Sequence, residues 1–239
     1  METTENKPSD TLITNPSVKE DDPNIFLYIP NILDYLRVVF AVFGFSIGKT
    51  YPIIFLITYF ISFSLDLFDG LAARHFNQCS RLGGTLDMVI DRISTAGLLM
   101  LLSQLYPSYS VFFIYLMMLD IGSHWLQTHS AMMGENLKTH INHKSLQENF
   151  YTVRLYYTNK YFLFIVCLFA EIFLLLIYLK YFYPLVFSQS WLLWFFVYIT
   201  FGVYALKQYI SVIQMLSAAQ RIANVDLREY HENKLQKGN

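Results

Sequence analysis

The chain has 239 residues, of which 54% are hydrophobic and 15% are charged, with a formal net charge of −1. Soluble domains carry about 25% charged residues, so this composition indicates a membrane protein. The near-neutral charge gives no sign of nucleic-acid binding. Two cysteines, Cys79 and Cys167, are too few for a disulfide framework.

A polar tail precedes six predicted membrane spans. Residues 1–23 are polar and rich in proline, which predicts a disordered tail. The segment "NIFLYIPNILDYLR" predicts a short interfacial helix, with Pro30 as the break before the chain turns inward. A helix needs about 20 largely apolar residues to cross a bilayer. The stretches that we interpret as spans are 31–48, 51–73, 84–105, 109–130, 159–180 and 190–215.

The predicted fold class is therefore an all-α integral membrane protein with six transmembrane helices. One membrane domain covers 24–220, and 221–239 form a polar, partly helical C-terminal tail. Six spans put both termini on the side of the 74–83 and 131–158 loops. Of the 17 lysines and arginines, only Lys49 and Lys180 fall near the opposite face, so the positive-inside rule predicts cytosolic termini.

Four aspartates are expected to meet where the second and third spans adjoin, in "DLFDGLAARHFNQCSRLGGTLDMVIDR". Asp66 and Asp69 share one helical face, and so do Asp87 and Asp91, because their spacings are i, i+3 and i, i+4. Carboxylates packed together repel each other unless a cation neutralises them. Their hard oxygens suit Mg²⁺ or Mn²⁺, and four of them can hold two ions about 3.5–4 Å apart.

The residues between the two aspartate pairs suit a phosphate-bearing substrate. Gly70 lets a phosphate approach the backbone, and Arg74 can grip it with a planar fork. Alternatively, the aspartates only cap helices or pair with Arg74, Arg81 and Arg92. Because burying ionisable groups in a membrane is costly, four carboxylates in two matched pairs favour a functional site.

This spacing resembles the signature of the CDP-alcohol phosphotransferase family: Asp66-x2-Asp69-Gly70-x2-Ala73-Arg74-x8-Gly83-x3-Asp87-x3-Asp91. The resemblance implies a homodimer of six-helix subunits, each with two Mg²⁺ or Mn²⁺ ions, in which an alcohol hydroxyl displaces CMP from a CDP-linked substrate. It implies that the metal ligands are Asp66, Asp69, Asp87 and Asp91. It further implies that Asp91 is the catalytic base and that Gly70, Arg74 and Ser80 bind CDP-diacylglycerol.

A second set of stretches narrows the resemblance. "NIFLYIPNILDYLRVVFA", "LDIGSHWLQTHSAMMG", "RLYYTNKYFLF" and "ISVIQMLSAAQRIANVD" resemble the eukaryotic phosphatidylinositol synthases, over about 24–226. One departure is the 131–150 segment, which is longer than expected before "NHKS". The implied reaction converts CDP-diacylglycerol and myo-inositol into phosphatidylinositol and CMP. The implied location is the endoplasmic reticulum membrane, with a cytosolic active site.

The acceptor is expected in a polar cavity walled by spans three to six. Candidate lining residues in span four, which could equally form hydrogen bonds between helices or lie exposed at the interface, are Asp120, Ser123, His124, Gln127 and His129. Arg154 is interpreted as an interface anchor rather than a substrate contact. Glu171 is expected either to extend its carboxylate toward the interface or to pair between helices, and Lys207 to extend its ammonium group toward water.

Two other functions stay open at this point. Another member of the same family would use glycerol phosphate, serine, choline or ethanolamine in place of inositol. A cation channel or transporter could instead use the aspartates as its ion site. The positions of Gly70, Arg74 and Gly83 argue against conduction, because an ion path needs no phosphate grip.

Overall fold

Helices make up the architecture. The computed structural model describes residues 23–136, 156 and 158–237, and this part of the chain contains no strand. The helices are α1 Ile29–Ile47, α2 Pro52–His75, α3 Arg81–Leu105, α4 Ser110–Asn136, α5 Lys160–Phe182, α6 Pro184–Gln189 and α7 Trp191–Lys237. Short 3-10 turns occupy Ile25–Leu27 and Pro107–Tyr109. The all-α prediction is confirmed.

Five helices, α1, α2, α4, α5 and α7, are long and apolar enough to cross a membrane, which makes this a multi-pass membrane protein. Helix α3 has 25 residues and contains the remaining predicted span, 84–105. It is more polar because its first half carries Arg81, Asp87, Asp91 and Arg92. That half of α3 contributes to the site described below.

The start of the membrane domain is simpler than predicted. The expected interfacial helix amounts to one 3-10 turn, Ile25–Leu27, capped by the side chain of Asn24. Pro30 lies in the first turn of α1. Proline is tolerated there because amides of the first turn have no partner within the helix. Pro30 therefore begins the first span and does not interrupt a helix.

The last helix is longer than the predicted span at 190–215. Helix α7 runs for 47 residues without a break, so the boundary drawn at 220/221 falls inside it. At 1.5 Å per residue its length is about 70 Å. Most of the tail at 1–23, Arg154 and most of the 131–158 loop lie outside the described residues.

Helix α1 packs against both α2 and α3. A Cβ atom built on Gly44 would lie 2.6 Å from Oγ1 of Thr58, and one on Gly97 would lie 2.5 Å from the ring of Phe45. Only glycine allows these close approaches. The resulting contacts hold three helices together toward the end away from their charged residues.

The apolar core fills this same end of the bundle, away from the charged residues. Its buried members include Phe55, Leu98, Leu102, Leu174 and Tyr178. The Tyr178 hydroxyl also donates a 2.6 Å hydrogen bond to the carbonyl oxygen of Gly48, at the end of α1. The core therefore anchors α5 to the first three helices and leaves their other ends for polar groups.

A tight reversal joins α2 to α3. Asn77 adopts a left-handed conformation with φ of 55°, which asparagine tolerates better than most residues. The Gln78 N–H bonds back to the carbonyl oxygen of Ala73 at 2.9 Å, which ends α2. Ser80 caps α3 by accepting a 2.9 Å hydrogen bond from the Gly83 N–H. The two aspartate-bearing helices consequently lie side by side.

Candidate active site

Carboxylates from three helices surround one buried guanidinium. They belong to Asp34 of α1, Asp66 and Asp69 of α2, and Asp87 and Asp91 of α3. The Arg37 side chain at their centre is only 4% exposed. Its Nη1 lies 3.0 Å from Asp34, 3.1 Å from Asp69 and 2.9 Å from Asp87. Its Nη2 lies 2.5 Å from both Asp66 and Asp91.

The carboxylate cluster provides two sets of oxygens suited to a hard cation. One set comes from Asp34, Asp69 and Asp87, and the other from Asp66, Asp87 and Asp91, with ligand atoms within 4.8 Å of one another in each set. Carboxylate oxygens are ligands that Mg²⁺ and Mn²⁺ accept. The residues therefore fit a divalent metal site, and Asp87 belongs to both sets.

One side of the cluster is open. The side chains of Asp87 and Asp91 are 46% and 37% exposed, whereas those of Asp34 and Asp69 are buried. The buried carboxylates are therefore held against Arg37 in the protein interior. The exposed ones can meet a ligand that arrives from outside the helix bundle.

Asp34 and Arg37 were not identified as site residues from the sequence. Both lie in α1, three residues apart, in a segment interpreted as interfacial. Ionisable residues inside a membrane span suggest function by default, and that signal could have identified them. The Ser62 hydroxyl donates a 3.1 Å hydrogen bond to the carbonyl oxygen of Arg37, which fixes this turn of α1 against α2.

The predicted phosphate-binding residues lie beside the cluster on α2. Gly70 directly follows Asp69, and Arg74 lies exposed in the last turn of the helix. A Cβ atom on Gly70 would lie 3.4 Å from Nη1 of Arg74. The helix surface at Gly70 and the Arg74 guanidinium are therefore neighbours. A phosphate bound by both residues requires this arrangement.

Ser80 lies at the N-terminus of α3, next to a buried asparagine. A Cβ atom on Gly83 would lie 3.2 Å from Oγ of Ser80 and 2.9 Å from Oδ1 of Asn31. Asn31 donates through Nδ2 to the carbonyl oxygen of Ile25 at 2.6 Å. Its buried Oδ1 has no hydrogen-bond partner among the described residues. An unsatisfied buried acceptor is costly, so this oxygen is suited to receive a donor from a ligand.

A second charged network lies behind Asp91. Asp120 accepts hydrogen bonds from Nη1 of Arg92 at 3.2 Å and from Nζ of Lys207 at 3.1 Å. Nη2 of Arg92 lies 3.6 Å from Asp91, which links this network to the carboxylate cluster. The prediction that Lys207 extends toward water is wrong, because the residue is 4% exposed and pairs with Asp120.

The span-four candidates make contacts between helices. Asp120 forms the ion pairs described above. Ser123 is buried, and its hydroxyl donates a hydrogen bond to the Asp120 carbonyl oxygen. His124 contacts Arg92 through Nε2 at 3.3 Å. Gln127 accepts a hydrogen bond from Arg221, and His129 is exposed. These contacts favour the interhelical role for the first four residues, and the exposure of His129 favours a place at the interface.

A cavity of about 170 Å³ extends inward from the carboxylate cluster. Its polar lining comes from five helices and includes Arg37, Tyr59, Asp91, Arg92, Glu171 and Lys207. The Tyr59 hydroxyl donates to Oε1 of Glu171, so this contact favours the pairing between helices over the other role left open for Glu171. The cavity thus joins the cluster to a polar interior at membrane depth.

Known proteins resemble this chain over most of its length. Residues 27–206 match the family described as CDP-alcohol phosphatidyltransferase. The chain is 39% identical to the human CDP-diacylglycerol–inositol 3-phosphatidyltransferase, over 89% of this chain and 99% of the relative. It is 38% identical to the proteins of the same name from Candida albicans, over 87% and 86%, and Saccharomyces cerevisiae, over 87% and 92%.

No solved structure matches the chain. The matched region contains α1 to α6 and the first part of α7, and therefore all the aspartates of the carboxylate cluster. The family match covers well over half of the chain, and the relatives are matched almost end to end. The chain belongs to the CDP-alcohol phosphatidyltransferase family.

Proposed function

We propose that the protein transfers the phosphatidyl group of CDP-diacylglycerol to myo-inositol, giving phosphatidylinositol and CMP. The observation that carries the proposal is the convergence of five carboxylates beside the Gly70–Arg74 grip. The names of the relatives supply inositol as the acceptor.

Two divalent ions, Mg²⁺ or Mn²⁺, are assigned to the carboxylate cluster, with Asp66, Asp69, Asp87 and Asp91 as ligands. When bound, they neutralise the diphosphate and assist departure of CMP. The charge of the cluster supports this number. Five carboxylates and the one guanidinium of Arg37 leave four negative charges, which two divalent cations balance.

The residues of the chain bind and orient the donor. Arg74 holds a diphosphate oxygen pair with its fork, and Gly70 leaves room for the phosphate at the helix surface. Ser80, at the start of α3, contacts the CDP portion. A site at the end of the membrane helices allows the acyl chains to stay in lipid while the nucleotide remains in water.

Asp91 acts on the acceptor. An alcohol is a weak nucleophile at neutral pH, so a base that takes its proton assists the attack. Asp91 belongs to one of the two candidate metal-ligand sets and also lines the cavity, which supports a role between donor and acceptor. The alcohol oxygen attacks the phosphorus of the phosphatidyl group and CMP leaves, without a covalent intermediate on the protein.

The wider setting of the enzyme is also proposed. We assign it to the endoplasmic reticulum membrane on the basis of the family resemblance. We place both termini and the active site in the cytosol, which the distribution of lysine and arginine supports. We further propose a homodimer, supported by the family resemblance.

The test is release of CMP from CDP-diacylglycerol by the purified full-length chain, with and without myo-inositol. Release that depends on inositol and on Mg²⁺ or Mn²⁺ is expected. Release with glycerol phosphate or serine in place of inositol would point to another reaction of the same family. Absence of release with every alcohol would refute the proposed function.

A further inference from the structure

We propose that the cavity inward of Asp91 is the acceptor pocket and that Glu171 makes it selective for a neutral polyol over alcohols that carry a phosphate. This inference rests on the proposed function and adds a specificity-determining residue to it. The reaction is unchanged. One polyol hydroxyl attacks the phosphatidyl phosphorus, its proton passes to Asp91, and CMP leaves.

The position and size of the cavity suit a small ring. Asp66 and Asp91 lie at its mouth, and its volume is about 170 Å³. An engineered cavity of about 150 Å³ in another protein accommodates benzene, so this volume accepts one six-membered ring. A polyol in the cavity would present a hydroxyl to Asp91, next to the donor.

Glu171 supplies hydrogen-bond acceptors deep in the cavity. Its Oε1 accepts a hydrogen bond from the Tyr59 hydroxyl, which holds the carboxylate in place. A carboxylate has about four lone-pair sites, so capacity remains for the hydroxyls of a polyol. Leu163, Phe164 and Leu168 line the cavity as well and can pack against the C–H face of a ring.

The cations in the cavity are already paired. Arg37 bonds the carboxylate cluster, while Arg92 and Lys207 share Asp120. A phosphate on the acceptor would have to compete with a carboxylate that already neutralises one of these cations. It would also face the charge of Glu171. A neutral polyol avoids both costs, because hydroxyls donate to carboxylates without adding negative charge.

The first experiment compares Glu171→Gln with wild type in the full-length protein. A hydrogen bond from a charged group contributes enough that its loss should raise KM for myo-inositol about 10- to 100-fold. KM for CDP-diacylglycerol should stay unchanged. Tyr59→Phe removes the group that positions Glu171, so the same KM should rise by a smaller factor. Glu229→Gln, the same change at an exposed position of α7, is the matched control.

An unchanged KM for inositol in folded Glu171→Gln would overturn the role of Glu171. A wild-type protein that releases no CMP with any alcohol would instead overturn the proposed function. A parallel loss of affinity for both substrates would also contradict the inference, because the pocket would then not be specific to the acceptor.

The second experiment leaves every residue that lines the cavity unchanged. Cys167 lines the cavity and is partly buried, whereas Cys79 is exposed. In a Cys79→Ser background, the rate at which methyl methanethiosulfonate labels Cys167 is measured by mass spectrometry. At ten times its dissociation constant, myo-inositol should slow labelling about tenfold, because the unoccupied fraction falls by about that factor. Glycerol 3-phosphate at the same concentration should leave the rate unchanged.

No protection by myo-inositol would overturn the pocket assignment even if Glu171→Gln failed to fold. Equal protection by glycerol 3-phosphate would overturn the selectivity.

Discussion

Replacing Arg37 by methionine tests how the carboxylate cluster is kept folded. Methionine keeps an unbranched side chain but removes the guanidinium that contacts all five aspartates. Removing one partner of a buried ion pair costs about 3–5 kcal/mol. For a chain of this size each kcal/mol shifts the melting temperature by about 2–4 °C, so a fall of about 6–20 °C is expected in EDTA.

Divalent metal should restore much of this loss. A ligand that binds only the folded state at 100 times its dissociation constant adds about 2.7 kcal/mol of stability. The Arg37→Met protein, with its more negative cluster, should therefore gain more from Mg²⁺ or Mn²⁺ than wild type does. The assay is thermal unfolding in detergent, followed by tryptophan fluorescence in EDTA and in MgCl₂.

Arg228→Met, at the far end of α7, is the control and should melt like wild type under both conditions. A wild-type melting temperature for Arg37→Met in EDTA would refute the idea that Arg37 neutralises the cluster. An equal fall in EDTA and in Mg²⁺ would contradict the larger gain expected of Arg37→Met, and melting temperatures that do not rise with Mg²⁺ in either protein would show that the aspartates do not bind the ion.

The other predictions concern turnover. Asp66→Ala, Asp69→Ala and Asp87→Ala should each abolish CMP release at saturating Mg²⁺ in protein that remains folded, and substantial turnover in any of them would count against the two-metal assignment. Arg74→Lys keeps the charge but loses the fork, so KM for CDP-diacylglycerol should rise; an unchanged KM and rate would remove Arg74 from the site. Asp91→Asn cannot accept the inositol proton at neutral pH, so turnover should fall by a factor of about 10² to 10⁴. Binding of labelled CDP-diacylglycerol should fall much less, and a parallel loss of binding and rate would make Asp91 chiefly a metal ligand.

The meeting of the four motif aspartates could be predicted because it depends on local geometry. Asp66 and Asp69 share a face by helical periodicity, and so do Asp87 and Asp91. Because only a few residues connect the two helices, they must lie side by side. The same reasoning could not reach Arg37, because its place in the cluster depends on how α1 packs against two other helices at Gly44 and Gly97.

Lys207 shows most clearly what helical periodicity cannot predict. A lone lysine in an apolar span ordinarily extends its ammonium group toward water. Here its partner, Asp120, lies 87 positions earlier in the chain, on a different helix. Periodicity within one helix carries no information about such a pair. The interhelical pairing of Glu171 could be anticipated, but its partner Tyr59 could not be identified for the same reason.

The unbroken length of α7 has a practical consequence for imaging the protein. A 28.0 kDa chain that is mostly within a detergent micelle offers few features for particle alignment in electron cryomicroscopy. Helix α7 continues 22 residues past the predicted span that ended at 215, to Lys237. Another helical protein fused in register at that point would share one continuous helix with the enzyme. The fusion partner would then serve as a rigid alignment marker about 45 Å along the helix from Lys207.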